Sequence, residues 1–122
     1  MPSFTHNGVR LAYSVQGKGP TLLLSHGFGL TRRMWDAQVT HLQDRYRVIT
    51  WDFRGHGESD YPSDPAQYSE DHSVADMAAL LDEVGADKTI VGGLSLGGYT
   101  SLSFYATHPD RCSALLIIDC GP

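Results

Sequence analysis

Gly93-Leu94-Ser95-Leu96-Gly97 follows the apolar stretch Thr89-Ile90-Val91 and opens a segment with helical patterning. The spacing G-x-S-x-G suits a sharp strand-to-helix turn, in which small flanking residues let the backbone bend and leave the serine hydroxyl exposed. A small residue between glycines can also serve a tight turn and nothing more. With Gly97-Gly98 opening a helix straight after an apolar strand, Ser95 reads as a candidate nucleophile. A serine hydroxyl attacks poorly until a base takes its proton, and that base is ordinarily a histidine steered by a carboxylate.

Working outward from this turn, apolar stretches alternate with helical patterns. Phe4 to Gln16 reads as a hairpin turning at Asn7-Gly8, with Val9, Leu11, Tyr13 and Val15 alternating after it. Thr21–Ser25 is a continuously apolar buried strand, and Arg47–Trp51 is the next. Between them Trp35, Val39 and Leu42 recur at helical spacing, predicting one amphipathic helix from Thr31 to Gln43. Arg54 to His72 is polar and broken by Gly and Pro, and reads as loop. Ser73 is expected to cap a second helix, with Asp76 three residues on and Val74, Met77, Leu81 and Val84 on one face, stopped by Gly85. Leu96 to Thr107 is a third helix, halted by Pro109, and Ala114–Ile118 a last strand. This alternation after an opening hairpin predicts an α/β fold: a mostly parallel sheet of about six strands with helices on both faces. Leu115-Leu116-Ile117-Ile118 would lie at or near an edge with no later helix to cover it, which reads as the front part of something longer.

Bulk properties narrow the class. The 122 residues are 41% hydrophobic and 19% charged, which argues against disorder and against a membrane partner. A formal charge of −5 without a basic cluster argues against nucleic acid. Met1-Pro2-Ser3-Phe4-Thr5-His6 has neither a basic start nor an apolar stretch, so no signal peptide and a cytoplasmic location are expected. Cys112 and Cys120 are read as reduced, small apolar residues beside a strand. Gly92 to Gly98 fits neither the dinucleotide fingerprint nor the phosphate loop, and no histidine pair has metal-site spacing; no cofactor and no metal are expected.

Three motifs in register carry a resemblance: His26-Gly27-Phe28-Gly29, Trp51-Asp52-Phe53-Arg54-Gly55-His56-Gly57-Glu58-Ser59, and Gly93-Leu94-Ser95-Leu96-Gly97-Gly98. Together they resemble the α/β-hydrolase superfamily along the whole chain. The resemblance implies a single incomplete domain over residues 1–122. That domain would hold the first six of eight strands and lack the cap, the last two strands and the catalytic histidine loop.

It also implies roles. Ser95 would be the nucleophile, with the backbone N–H groups of Leu96 and Phe28 forming the oxyanion hole and Gly27, Gly93 and Gly97 as motif glycines. His26 would shape its loop and His56 a turn. Epoxide hydrolases and haloalkane dehalogenases of this fold carry aspartate at the nucleophile position, so serine points to ester, lactone, thioester or activated C–C bonds. Asp119, at the end of the sixth strand, is either the triad acid, as in some family members, or a loop-anchoring carboxylate.

His108 sits at a helix C-terminus about 20 Å from Ser95 at 1.5 Å per residue, too far to act on Oγ. His6, His41 and His72 show no partner pattern. The triad histidine, which would follow the acid in the chain, is therefore expected to be missing and the chain alone to be nearly inactive. The expected function is that of a serine hydrolase fragment whose parent acts on a small ester or lactone through an acyl-enzyme. Its alternatives are a non-catalytic remnant that binds a partner, or itself, through the 114–118 strand, and a half-enzyme completed by another chain.

Overall fold

Asn7 and Gly8 both take positive φ (49° and 82°), the backbone of a two-residue hairpin turn whose twist matches the strands it joins. In the computed structural model, which describes residues 2–119, that turn links β1 (Ser3–His6) to β2 (Val9–Gln16) in the predicted hairpin. The chain continues through β3 (Thr21–Ser25), a 3₁₀ turn (Arg32–Trp35), α1 (Asp36–Leu42) and β4 (Arg47–Trp51). It then runs through a long loop, α2 (Glu70–Glu83), β5 (Thr89–Leu94), α3 (Leu96–Thr107) and β6 (Cys112–Ile118).

The sheet order is β1-β2-β4-β3-β5-β6. β4, β3, β5 and β6 are mutually parallel, and the hairpin joins β4 antiparallel through β2. Because side chains alternate across a strand, the sheet sorts its apolar residues onto two faces. Leu23, Ile49 and Val91 pack with Met77, Leu80 and Leu81 of α2 and Phe104 of α3. On the other face Leu22, Leu24 and Val48 pack with Trp35 and Val39. Helices therefore cover both faces, as the alternation predicts. β6 is an edge strand, and Leu116, Ile117 and Ile118 on it are exposed. No helix among the described residues is long and apolar enough to cross a membrane.

Two expectations need correction. The Thr31–Gln43 segment is not one helix but a 3₁₀ turn capped by Thr31 and followed by α1. Its first residue, Arg32, is drawn inward: its backbone N–H and its guanidinium both bind the buried carboxylate of Asp52. The second helix begins before Ser73: Ser69 is its cap, accepting the N–H of His72, and Glu70 and Asp71 fill the first turn. That turn faces solvent and carries no apolar residue, so hydrophobic periodicity starts a turn late. Asp76 is fully buried and binds Arg54 through both carboxylate oxygens, at 2.7 and 3.0 Å. His6, which shows no partner pattern in sequence, donates to the same carboxylate at 2.8 Å and ties β1 to α2.

Candidate active site

At the β5–α3 junction Ser95 has φ 53° and ψ −112°, outside the regions that non-glycine residues favour. Such a conformation costs about 1–3 kcal/mol and persists only where its surroundings impose it. Here the surroundings are visible. A Cβ on Gly97 would stand 2.1 Å from the Ser25 carbonyl oxygen, and one on Gly93 would stand 2.4 Å from the Gly97 carbonyl carbon. The two glycines thus let α3 start almost in contact with the ends of β3 and β5. Across the sheet, Ser95 N–H donates to the Ile118 carbonyl at 3.1 Å. The serine is left exposed at the turn.

Asp119 follows Ile118 directly, so its peptide unit lies against the Ser95 backbone. It is exposed and has φ 48°, a left-handed conformation that aspartate tolerates better than most residues. The sheet therefore brings Asp119 to the same end as Ser95.

The loop that carries Phe28 is held by three ties. Before it, His26 is fully buried; its Nε2 accepts the Phe53 N–H at 3.0 Å, and its Nδ1 bonds the Gly27 carbonyl at 2.7 Å. A backbone N–H can only donate, so Nε2 carries the lone pair and the ring proton sits on Nδ1. Within the loop, His56 Nε2 accepts the Gly29 N–H at 3.0 Å while its Nδ1 donates to the Arg54 carbonyl at 3.0 Å. After the loop, Asp52 accepts the Arg32 N–H at 2.7 Å and the Glu58 N–H at 3.0 Å. Both imidazoles are committed at both nitrogens, so they shape loops, as the resemblance implies. Burial pushes the His26 pKa down to about 4; the Gly27 carbonyl opposes this, His56 adds to it and Asp52 opposes it. His108 caps the far end of α3 and stacks on Phe104 with ring centroids 5.2 Å apart.

Phe28 and Leu96 line one cleft of about 450 Å³, together with Phe53, His56, Tyr61 and Tyr68. Phe28 is 72% exposed, the posture of a wall rather than of a core residue. A Cβ on Gly27 would meet Leu30 and Leu94 at ordinary contact distances. Cys112 carries a free thiol whose pKa is raised by burial; Cys120 lies outside the described residues. The residues that the sequence reading missed are Arg32 and Asp52, which brace the Phe28 loop. Their signal was an aspartate directly after an apolar strand, but its partner is 20 residues away.

Comparison with known proteins agrees with this geometry. The family model for the alpha/beta hydrolase fold matches residues 20–120. Epoxide hydrolase 3 of Siraitia grosvenorii is 36% identical over 111 residues, covering 90% of this chain and 35% of that protein. 3-Oxoadipate enol-lactonase 2 of Acinetobacter baylyi is 33% identical over 117 residues, covering 94% and 43%. The solved enol-lactonase of Burkholderia xenovorans superposes with a TM-score of 0.88 at 33% identity, covering 93% of this chain and 45% of that one. The chain thus spans between 35% and 45% of the length of these relatives. With a strained serine between glycines at the β5–α3 turn, a braced loop that shares a cleft with Leu96 and a family match over most of its length, the chain belongs to the α/β-hydrolase family.

Proposed function

We propose that this chain is the nucleophile-bearing part of a serine hydrolase acting on a small ester or lactone. The observation that carries the reading is the exposed, strained Ser95 at the head of α3, adjoining a cleft walled by Phe28 and Leu96. In this reading Ser95 Oγ attacks the carbonyl carbon and the carbonyl π pair moves onto oxygen. The N–H groups of Phe28 and Leu96 hold that oxyanion, each such donor contributing about 3 kcal/mol. Collapse expels the alkoxide, which takes the proton lost by Oγ, and water later cleaves the acyl-enzyme. Asp119 is the candidate acid. In this reading His26 and His56 are engaged by their loops, His6 by Asp76, and His108 is remote, and the base is a histidine supplied from outside this sequence.

Relatives named as epoxide hydrolases favour a different bond, but a serine at the β5–α3 turn argues against it by chemistry. A carboxylate that opens an epoxide forms an ester, which water can cleave; a serine oxygen would form an ether, which it cannot. A lactone or ester attacked by Ser95 returns the enzyme. A second reading, a half-enzyme completed by another chain, draws on the uncovered edge of β6.

The test is incubation of this chain with p-nitrophenyl acetate. At most weak turnover is expected, with acetylation of Ser95 slow, because acylation and deacylation both need the base. Ser95→Ala should remove both. Adduct formation equal in the two chains, or robust saturable turnover by this chain, overturns the reading.

A further inference from the structure

The cleft beside Ser95 is walled by rings, and its polar groups are turned toward the protein. Tyr61 Oη donates to the Gly57 carbonyl at 2.9 Å and Tyr68 Oη to the Pro62 carbonyl at 2.6 Å. Thr100 Oγ1 donates to the Leu96 carbonyl at 3.0 Å. What reaches the cleft from these side chains is mainly ring and methyl surface.

Away from the start of α3, where the Leu96 N–H is assigned to the oxyanion, two groups along the cleft could recognise a carboxylate, and both are already occupied. Arg54 spends Nε and Nη2 on Asp76 and Nη1 on the Gln67 side chain at 2.9 Å, so its charge is matched by a buried anion. The N-terminus of α2 would attract an anion through its free N–H groups and dipole. Ser69 Oγ accepts one of those N–H groups, however, and Glu70 and Asp71 supply negative charge in the first turn. Glu70 itself lines the cleft, where its Oε2 accepts the Ser103 hydroxyl at 2.8 Å. On the α2 side of the cleft the charge facing a ligand is therefore negative.

We propose that this cleft takes an uncharged, aryl-bearing substrate group and rejects one that carries a carboxylate, with Glu70 as the specificity-determining residue. The proposal rests on the serine hydrolase reading for the identity of the reacting bond, but not for the binding preference. A flat ring of one-ring size fits about 450 Å³ with room to spare and meets Phe28, Phe53, Tyr61 and Tyr68 edge or face. A carboxylate in the same place would lose its hydration and meet Glu70 without a free cation.

The experiment is equilibrium binding to the full 122-residue chain, read by backbone amide shifts at Phe28, His56 and Thr100. The probes are methyl para-toluate, monomethyl terephthalate, in which a carboxylate replaces the methyl, and methyl cyclohexanecarboxylate. The toluate is expected to bind about tenfold tighter than the terephthalate monoester, the order of one like-charge contact a few ångströms long at an exposed carboxylate screened by water. The saturated ring is expected to bind about threefold more weakly than the toluate. Glu70→Lys should abolish or reverse the preference between the two aryl esters, and Glu70→Gln, which alters the helix start less, should reduce it. Equal or tighter binding of the terephthalate monoester by the unsubstituted chain overturns the proposal. So does a saturated ring that binds as tightly as the aryl ester, or an absence of shifts at these residues. Failure of the nucleophile assignment would show separately, as acetylation indifferent to Ser95→Ala.

Discussion

Gly97 and Gly27 are both motif glycines, yet they have different reasons to be glycine. A methyl at Gly97 would meet the Ser25 carbonyl oxygen at 2.1 Å, and backbone atoms cannot rotate away. Gly97→Ala should therefore push α3 off β3 and cost roughly 3 kcal/mol or more in urea unfolding, with the elbow opened. At Gly27 the nearest atoms would be Leu30 Cδ1 at 3.4 Å and the Leu94 carbonyl oxygen at 3.5 Å, so Gly27→Ala should cost no more than about 1 kcal/mol. A reversed order of the two would show that close packing of α3 does not hold the turn. His26 supplies a pH dependence at the same scale. Its pKa of about 4 in the fold lies below the unfolded value of 6.5, so the unfolded chain binds the extra proton. Stability from this residue is present in full above pH 6.5 and is lost as pH falls toward 4, roughly 3 kcal/mol in total. Urea midpoints measured across this window should rise with pH, and His26→Asn should flatten that rise. An unchanged slope in the variant would assign the effect to other groups.

At the scale of elements, the start of α2 separates two serines that look alike in sequence. Ser69 accepts the His72 N–H at 3.2 Å and has β-region backbone; Ser73 lies inside the helix with its N–H bonded to the Ser69 carbonyl. Ser69→Ala should destabilise the chain by about 1 kcal/mol, whereas Ser73→Ala should be neutral or slightly stabilising because alanine is the better helix former. Thermal unfolding of the two variants side by side checks the assignment, and the opposite order would return the cap to Ser73. The strands were legible because each central one is a continuous apolar run, the pattern of a strand covered on both faces. The helix start was not, since its first turn is polar and a serine cap recurs a turn apart.

The whole molecule carries an asymmetry. Its hairpin edge is short and polar, with Ser3, Thr5 and His6 in β1, whereas β6 presents Cys112–Ile118 with no charged residue. Unpaired N–H and C=O groups on such an edge template another strand. Leu116 and Ile118 alternate to the face opposite Leu115, which packs on the main core, and both are exposed at more than 40%. Sedimentation at tens of micromolar is expected to show self-association of the chain. Leu116→Lys, which puts a charge on that face while keeping the Cβ contact over Gly92, should shift it to monomer. A monomer at all accessible concentrations without the substitution would show that β6 is not adhesive.

The sequence by itself determined the order of elements, the two-faced apolar pattern of the sheet and the turn at Ser95. Each depends on local steric rules: alternation, helical spacing, and the glycines that a sharp bend requires. It also identified the loops around Phe28 and His56, each through a motif whose residues are contiguous in the chain. Only the tertiary structure decided which groups brace those loops. Arg32 with Asp52, and Arg54 with Asp76 and His6, are pairs separated by 20 to 70 residues, and nothing in local spacing selects a partner at such distances. The same holds for the neighbourhood of Asp119. Its place beside Ser95 follows from β6 pairing with β5, so that the Ile118 carbonyl meets the Ser95 N–H, and strand pairing is a property of the folded sheet. Burial then made the polar contacts selective, because a charge taken out of water must find its partner inside the fold.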